Sequence, residues 1–309
     1  MKILGVNISH DFSICIFENK IIKEIYFEDR FVQEKKFIVK EKENFYNCIF
    51  KKINFKPDVV VYSSFERILD NEITDKQIIK KIQKQLDNPI YYFNKKNHHV
   101  YHACSSFFLS KFEEAMSIVI DGGGACPLEK NYRETYSIFY INKKNVYTIF
   151  QHLSNHQSLL INSDLEEEYS LYINNFYKNG IEFYCSSLCI GGQDFLRACN
   201  KINLKNEPGK LMGLASYGLN KQIYNLDYNN VDIAKKIQEK SFSETCVLIE
   251  KAYDYKKIKN FVLSGGYFLN CSNNFKYVKK YPEFNFFVDP DPSDGGTALG
   301  ACVYYDNYK

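Results

Sequence analysis

Tryptophan is absent from this 309-residue chain. Asn, Ile, Lys and Tyr are abundant around that gap, which fits an AT-rich coding sequence and says nothing of function. There is no excess of charge. Forty Lys and Arg face 37 Asp and Glu, for a net charge of +3, so electrostatics make no case for nucleic acid or a membrane surface. No apolar run approaches the length of a membrane helix. None of the ten cysteines forms a CxxC pair, and most sit in apolar runs. A disulfide framework is therefore not expected in a chain this long without a secretory segment. The opening MKILGVNISH is too short and too strand-like for a signal peptide. Together these absences set the expectation of a cytoplasmic protein with neither a membrane nor a nucleic-acid partner. They leave the oligomeric state open.

What is present is enough apolar residue, 45%, for a large core. The length suits two domains or one two-lobed fold, and no low-complexity linker divides it. Residues 3–8, 13–18 and 21–28 read as consecutive strands, the first two a hairpin. A helical pattern over 40–55 precedes the buried-strand signal of VVVY after Asp58. Residues 74–87 predict an amphipathic helix. PIYYFN predicts a strand, and 98–112 a helix. The order then recurs. Residues 117–121, 135–142 and 145–151 predict strands, 230–251 a long helix, NFVLS a buried strand and 270–280 a helix. FNFFV predicts a further strand and 295–305 a last helix. Two such successive sets predict a duplicated α/β fold of two lobes, 1–115 and 116–309, with the ligand in the cleft between them.

The stretch NHHVYHACSSFF stands apart from this pattern. On a helix His98 and His102 share one face, one turn apart, where both imidazoles reach a single ion. His99 points to another face. HxxxH is a weak signal by itself. Asp121 ends a buried strand before Gly122, Gly123 and Gly124, and Asp294 precedes Gly295 and Gly296. Gly265 and Gly266 follow a third strand, with Asn270 opening the next helix. A glycine loop of this kind serves either as a phosphate cradle or as an ordinary tight turn. Recurrence in both halves favours a nucleotide cleft. Two imidazoles and two carboxylates suit a divalent first-row metal such as iron, manganese or zinc. His10 and Asp11 occupy the turn of the first hairpin, a cleft position or a plain turn. His152 and His156, in the polar QHLSNHQS, read as surface histidines.

The same residues fall into eight ordered blocks that resemble the NodU/CmcH-type O-carbamoyltransferases. GVNISHDFSICIF resembles that family's opening strand with its His-Asp turn, and FEDRFVQEKKF its EERFxRxKHD block. HHVYHACSSFF resembles HHxAHAxSAF, SIVIDGGG the strand ending in Asp-Gly, and GIEFYCSSL the GxxYxxxT helix. GKLMGLASYG is very close to GKVMGLAPYG. FVLSGGYFLNCSNN resembles LAGGxALNxxxN, and PSDGGTALGA resembles GDxGxALGAA. The resemblance implies an RNase H-like fold of the actin, Hsp70 and sugar-kinase kind. It implies a metal, usually Fe2+, held by His98, His102, Asp121 and Asp294. Gly122, Gly123, Gly265, Gly266 and Asn270 would line a nucleotide, and Lys210 would face its phosphate. His10 and Lys35 match the family's catalytic positions. The activity implied is carbamoyl transfer from carbamoyl-adenylate to a hydroxyl of a small molecule, sugar or nucleoside. Family members also carry a YrdC-like domain that makes the adenylate from ATP and carbamoyl phosphate. No such domain follows in this sequence, so three alternatives stand: a separate YrdC-like protein is a partner that supplies the activated carbamoyl group, the sequence is a fragment, or the activity has changed. Two rival readings are a tRNA threonylcarbamoyl-transferase-like enzyme and a catalytically silent nucleotide-binding subunit.

Overall fold

The computed structural model describes residues 1–9, 11–28, 30, 55–63, 80, 83–84, 86, 89–94, 97–125, 132–155, 174–178, 181–185, 192–204, 207–219 and 228–309. The helix expected over 40–55, save its last residue, and most of that over 74–87 lie outside these residues, as do His10, Lys35 and His156; residues 80, 83 and 84 of the second are helical.

Five strands form the first sheet: β1 (Lys2–Asn7), β2 (Ser13–Glu18), β3 (Ile21–Phe27), β4 (Val59–Tyr62) and β5 (Ile90–Phe93). Their order is β3-β2-β1-β4-β5. β1 pairs antiparallel with β2 and parallel with β4, and β4 continues parallel to β5. Asn19 and Lys20, both at positive φ (52° and 64°), form the two-residue connection of β2 to β3, as a type I′ turn requires. Every residue of VVVY is buried, which is why β4 reads as an unbroken apolar run and lies inside the sheet. β3, at the edge, has no buried residue.

Seven strands form the second sheet: β6 (Glu114–Ala125), β7 (Tyr132–Asn142), β8 (Val146–Asn155), β9 (Asn174–Lys178), β10 (Ile181–Cys185), β11 (Asn260–Ser264) and β12 (Asn285–Val288). Their order is β12-β11-β6-β7-β8-β10-β9. From β8 to β12 this sheet repeats the first in order and direction: two antiparallel pairings, then two parallel ones. The duplication expected from the strand pattern is therefore present in the topology, with β10 and β9 added beyond β8. Among the described residues six helices have full bounds: α1 (His98–Ser110), α2 (Gly192–Lys201), α3 (Pro208–Ala215), α4 (Tyr228–Lys256), α5 (Cys271–Lys280) and α6 (Thr297–Asn307).

α1 and α6 lie between the sheets. One core joins Ile3, Cys15, Val59 and Val61 of the first sheet to Tyr101, Cys104 and Phe107 of α1. The same core takes in Leu299, Cys302 and Val303 of α6 and Val262 of the second sheet. The last helix of the chain thus packs on the first sheet, across the boundary expected at 115/116. A Cβ on Gly300 would stand 1.8 Å from the Tyr101 carbonyl oxygen, so α1 and α6 cross with their backbones in contact. The other face of the second sheet is covered by α2 to α5 around Phe195, Leu211, Ile249 and Phe268.

Three local expectations differ from the structure. The segment matching a GxxYxxxT helix is strand β10, paired with β8 and β9, because IEFYC is rich in strand-forming residues beside an open sheet edge. The strand expected to end at Asp121 does not give way to a glycine loop there: β6 runs through the glycines to Ala125. His152 is fully buried rather than on the surface. It stacks on Tyr136 with ring centroids 4.2 Å apart and bonds Thr135 Oγ1 through Nδ1. Burial pushes its pKa down to about 3.

Candidate metal centre

α1 places the histidine pair. It ends at Lys111, whose left-handed φ of 61° caps the helix. His98 and His102 stand one turn apart with ring centroids 4.9 Å apart, and both are buried. The first acid arrives from β6. Opposite β7, Ile120 pairs with Tyr136 and Gly124 with Glu134, so residues 121–123 together face Thr135 alone. This bulge re-aims Asp121 out of the strand's alternation and towards α1. The second acid arrives from the 3-10 turn Asp294–Gly296 that leads into α6. Ser293 caps that turn by accepting from Gly295 N–H at 3.3 Å, and Thr297 Oγ1 donates to the Asp294 carbonyl at 2.5 Å. Ser13 Oγ donates to the Gly295 carbonyl at 2.6 Å, which brings the start of β2 against the same turn.

His98 Nε2 lies 3.3 Å from Asp121 Oδ2 and 3.5 Å from Asp294 Oδ1, and His102 Nε2 lies 3.6 Å from Asp294 Oδ1. One ligand atom from each of the four residues falls within 4.8 Å of the others. Bonds of ~2.1 Å to one first-row ion set neighbouring ligand atoms roughly 3.0–3.4 Å apart, so the spacing fits after small adjustments. His102 Nε2 is buried without a hydrogen-bond partner, the mark of an acceptor left for something other than protein. Burial pushes the His98 pKa down, but the Asp294 and Asp121 carboxylates outweigh it and hold the imidazole well above its usual range. Burial and Asp294 push Asp121 up, and the two imidazoles outweigh them and hold it below the ordinary carboxylate range. The cluster is thus acceptor-rich and electrostatically suited to a cation. The mixed N/O donor set matches first-row metals better than Mg2+ or Ca2+, which take oxygen.

The remaining residues singled out from the sequence divide. Gly266 N–H donates to Asp121 Oδ1 at 3.1 Å, so this amide orients the acid. Gly265, at φ 94°, turns the chain where a Cβ would meet the Ile120 carbonyl oxygen at 2.2 Å, and only glycine fits there. Gly123 N–H reaches Asp121 Oδ2 at 3.5 Å, while Gly122 is exposed with open space around it. The Asn270 amide exchanges two 2.9 Å hydrogen bonds with Gln238 and caps α5 through Asn273 N–H. Lys210 is exposed on α3, with Glu207 3.6 Å away.

A group that the motifs do not mark adjoins the cluster. Glu134, Ser137 and Gln151 are buried, and Glu134 Oε1 accepts from Ser137 Oγ at 2.5 Å and from Gln151 Nε2. Ser137 Oγ in turn bonds His99 Nδ1 at 2.9 Å. Burial raises the Glu134 pKa to about 7.

Residues 219–303 match the family model described as Carbamoyltransferase N-terminus. The chain is 26% identical over 316 residues to an uncharacterised protein of Methanocaldococcus jannaschii, across 97% of this chain and 56% of that protein. Among solved structures it is similar to full-length HypF in a phosphate- and nucleotide-bound form, with a TM-score of 0.61 and 17% identity, covering 99% of this chain and 55% of HypF. It is also similar to the ROK hexokinase of Thermus thermophilus, with a TM-score of 0.50 and 10% identity over the whole of both chains. These likenesses show the fold to be that of the sugar-kinase-like proteins. The chain spans about half the length of the curated relative and of HypF.

Proposed function

We propose that this chain is a metal-assisted carbamoyltransferase. Its donor is carbamoyl-adenylate and its acceptor is a hydroxyl of a small molecule, sugar or nucleoside. The observation that carries the reading is the His98, His102, Asp121 and Asp294 cluster, in a chain whose residues 219–303 match a carbamoyltransferase model. A first-row dication, with Fe2+ our choice, would be held by those four side chains and would supply Lewis acidity towards a bound oxygen. The chain's own residues do the rest. Gly266 N–H and the β6 bulge hold Asp121 in place. Gly122, Gly123 and Gly265 give the backbone little bulk where the nucleotide is to lie, and Lys210 supplies positive charge for its phosphate. His10 takes the acceptor's proton as the hydroxyl oxygen bonds the carbamoyl carbon. The carbon–oxygen bond to the phosphate breaks and AMP leaves. Lys35 serves the same reacting end. A YrdC-like domain or protein supplies the adenylate from ATP and carbamoyl phosphate.

Mass spectrometry tests this reading. With ATP, carbamoyl phosphate, Fe2+, a panel of hydroxyl compounds and a YrdC-like protein, a carbamoylated product is expected. Without the YrdC-like protein none is expected. Absence of product when preformed carbamoyl-adenylate is supplied overturns the reading.

A further inference from the structure

His99 sits between the two cluster histidines in sequence and is fully buried, with Nδ1 3.4 Å from Glu134 Oε1. Its surroundings are specific. Ser137 Oγ–H points to Glu134 Oε1, so the Ser137 oxygen accepts from His99 Nδ1–H, which fixes the tautomer. Gln151 Nε2 donates to the same Glu134 oxygen from the next strand. The opposite edge of the ring meets β6: a Cβ on Gly124 would stand 3.0 Å from His99 Cδ2 and 3.2 Å from Glu134 Oε2. The imidazole is thus held between a β7 hydroxyl and the backbone of the strand that carries Asp121 three residues earlier. A run of buried polar groups costs free energy that an apolar contact would not, and its return is a defined orientation.

That orientation matters for the cluster. A rotation of roughly 10° about the axis of a helix ~10–12 Å across carries its side-chain tips by about 1 Å. A shift of that size is enough to spoil a coordination site. We propose that His99 is a positioning residue. The chain Gln151–Glu134–Ser137–His99 fixes the rotation of α1 and so aims His98 and His102 at Asp121 and Asp294. This rests on the metal-centre reading.

Co2+ binding by the full chain tests it, read by calorimetry, by the cobalt ligand-field spectrum and by the melting temperature of the metal-free protein. Ser137→Ala is expected to weaken Co2+ about 10–100-fold, as outer-shell changes do, and to alter the spectrum. Ser137→Thr, which keeps the hydroxyl, is expected to restore both. Tyr140→Phe removes a 2.8 Å hydrogen bond to Glu114 at the far end of β7 and is expected to leave Co2+ binding unchanged. Should Ser137→Ala fail to fold, His99→Asn, which retains a donor near Nδ1, is compared with His99→Leu, and only the second is expected to bind weakly. Equal affinity and spectrum in wild type, Ser137→Ala and His99→Leu overturn the proposal. A wild type that binds no Co2+ overturns the metal-centre reading itself.

Discussion

The two histidine-bearing faces of α1 follow opposite plans. On one face His98 and His102 meet two carboxylates from distant parts of the chain, and His102 Nε2 finds no hydrogen bond. On the other, His99 joins a run of donors and acceptors that leads through Ser137 and Glu134 to Gln151. Burial is equal, and composition nearly so. The difference is arrangement: the first group gathers two imidazoles and two carboxylates around a point, and the second bonds its groups one to the next, although His99 Nε2 is itself buried without a hydrogen bond. Two imidazoles and two carboxylates gathered around one point suit a cation, whereas a run bonded one group to the next serves orientation.

The largest expected effect breaks that contrast at the cluster. Saturation with Fe2+ or Co2+ at 1,000 times Kd is expected to stabilise the folded chain by about 4.1 kcal/mol, and chelation to reverse it. Asp294→Asn is expected to abolish the response in thermal melts, whereas Gln151→Leu, at the remote end of the second group, is expected only to weaken it. A response of wild-type size in Asp294→Asn would remove the distinction between the two faces.

Protonation sharpens the comparison on the β7–β8 side. His152 stays neutral down to about pH 3 when folded and titrates near 6.5 when unfolded, so its contribution is complete above 6.5 and is lost as pH falls. Glu134 keeps its proton up to about pH 7 when folded but loses it near 4.5 when unfolded, so its contribution is complete below 4.5 and is lost as pH rises. The two oppose each other. Between pH 7 and 4.5, relative to wild type, Glu134→Gln is expected to lose about 3 kcal/mol of stability and His152→Phe to gain about as much. Urea unfolding at the two pH values measures both, and slopes of the same sign would contradict the assignments.

Glycine substitutions give the smallest effects. Gly265→Ala forces a Cβ onto the Ile120 carbonyl at positive φ and is expected to cost ~1–3 kcal/mol. Gly122→Ala, which meets nothing within 4 Å, is expected to stay within about 0.5 kcal/mol in the same melts.

Much of the first face was legible in the sequence. The i, i+4 spacing of His98 and His102 is local, and the two acids each stand directly before glycines. The duplication of the fold followed from the repeated pattern of runs. The second face was not legible. Glu134 and Ser137 are three apart, a spacing that points residues of a regular strand to opposite faces. The irregularity in β7 between Glu134 and Tyr136 brings both to His99, and such an irregularity is set by pairing across strands rather than by local residues. His152 escaped for a related reason. QHLSN looks like a surface segment, yet Gln151 to Ser154 are all buried, because β8 lies inside the sheet with both faces covered. The Asp121 bulge was likewise hidden, since Asp-Gly-Gly-Gly spells a turn unless β7 is known to continue alongside it.

Metal stoichiometry tests the central claim most directly. After anaerobic loading with Fe2+ and removal of excess, elemental analysis is expected to find one ion per wild-type chain, and His102→Ala and Asp121→Asn are expected to hold none while keeping the wild-type circular dichroism. A chain that retains no ion, or folded variants that retain as much as wild type, would contradict the assignment of His98, His102, Asp121 and Asp294 to a single metal centre.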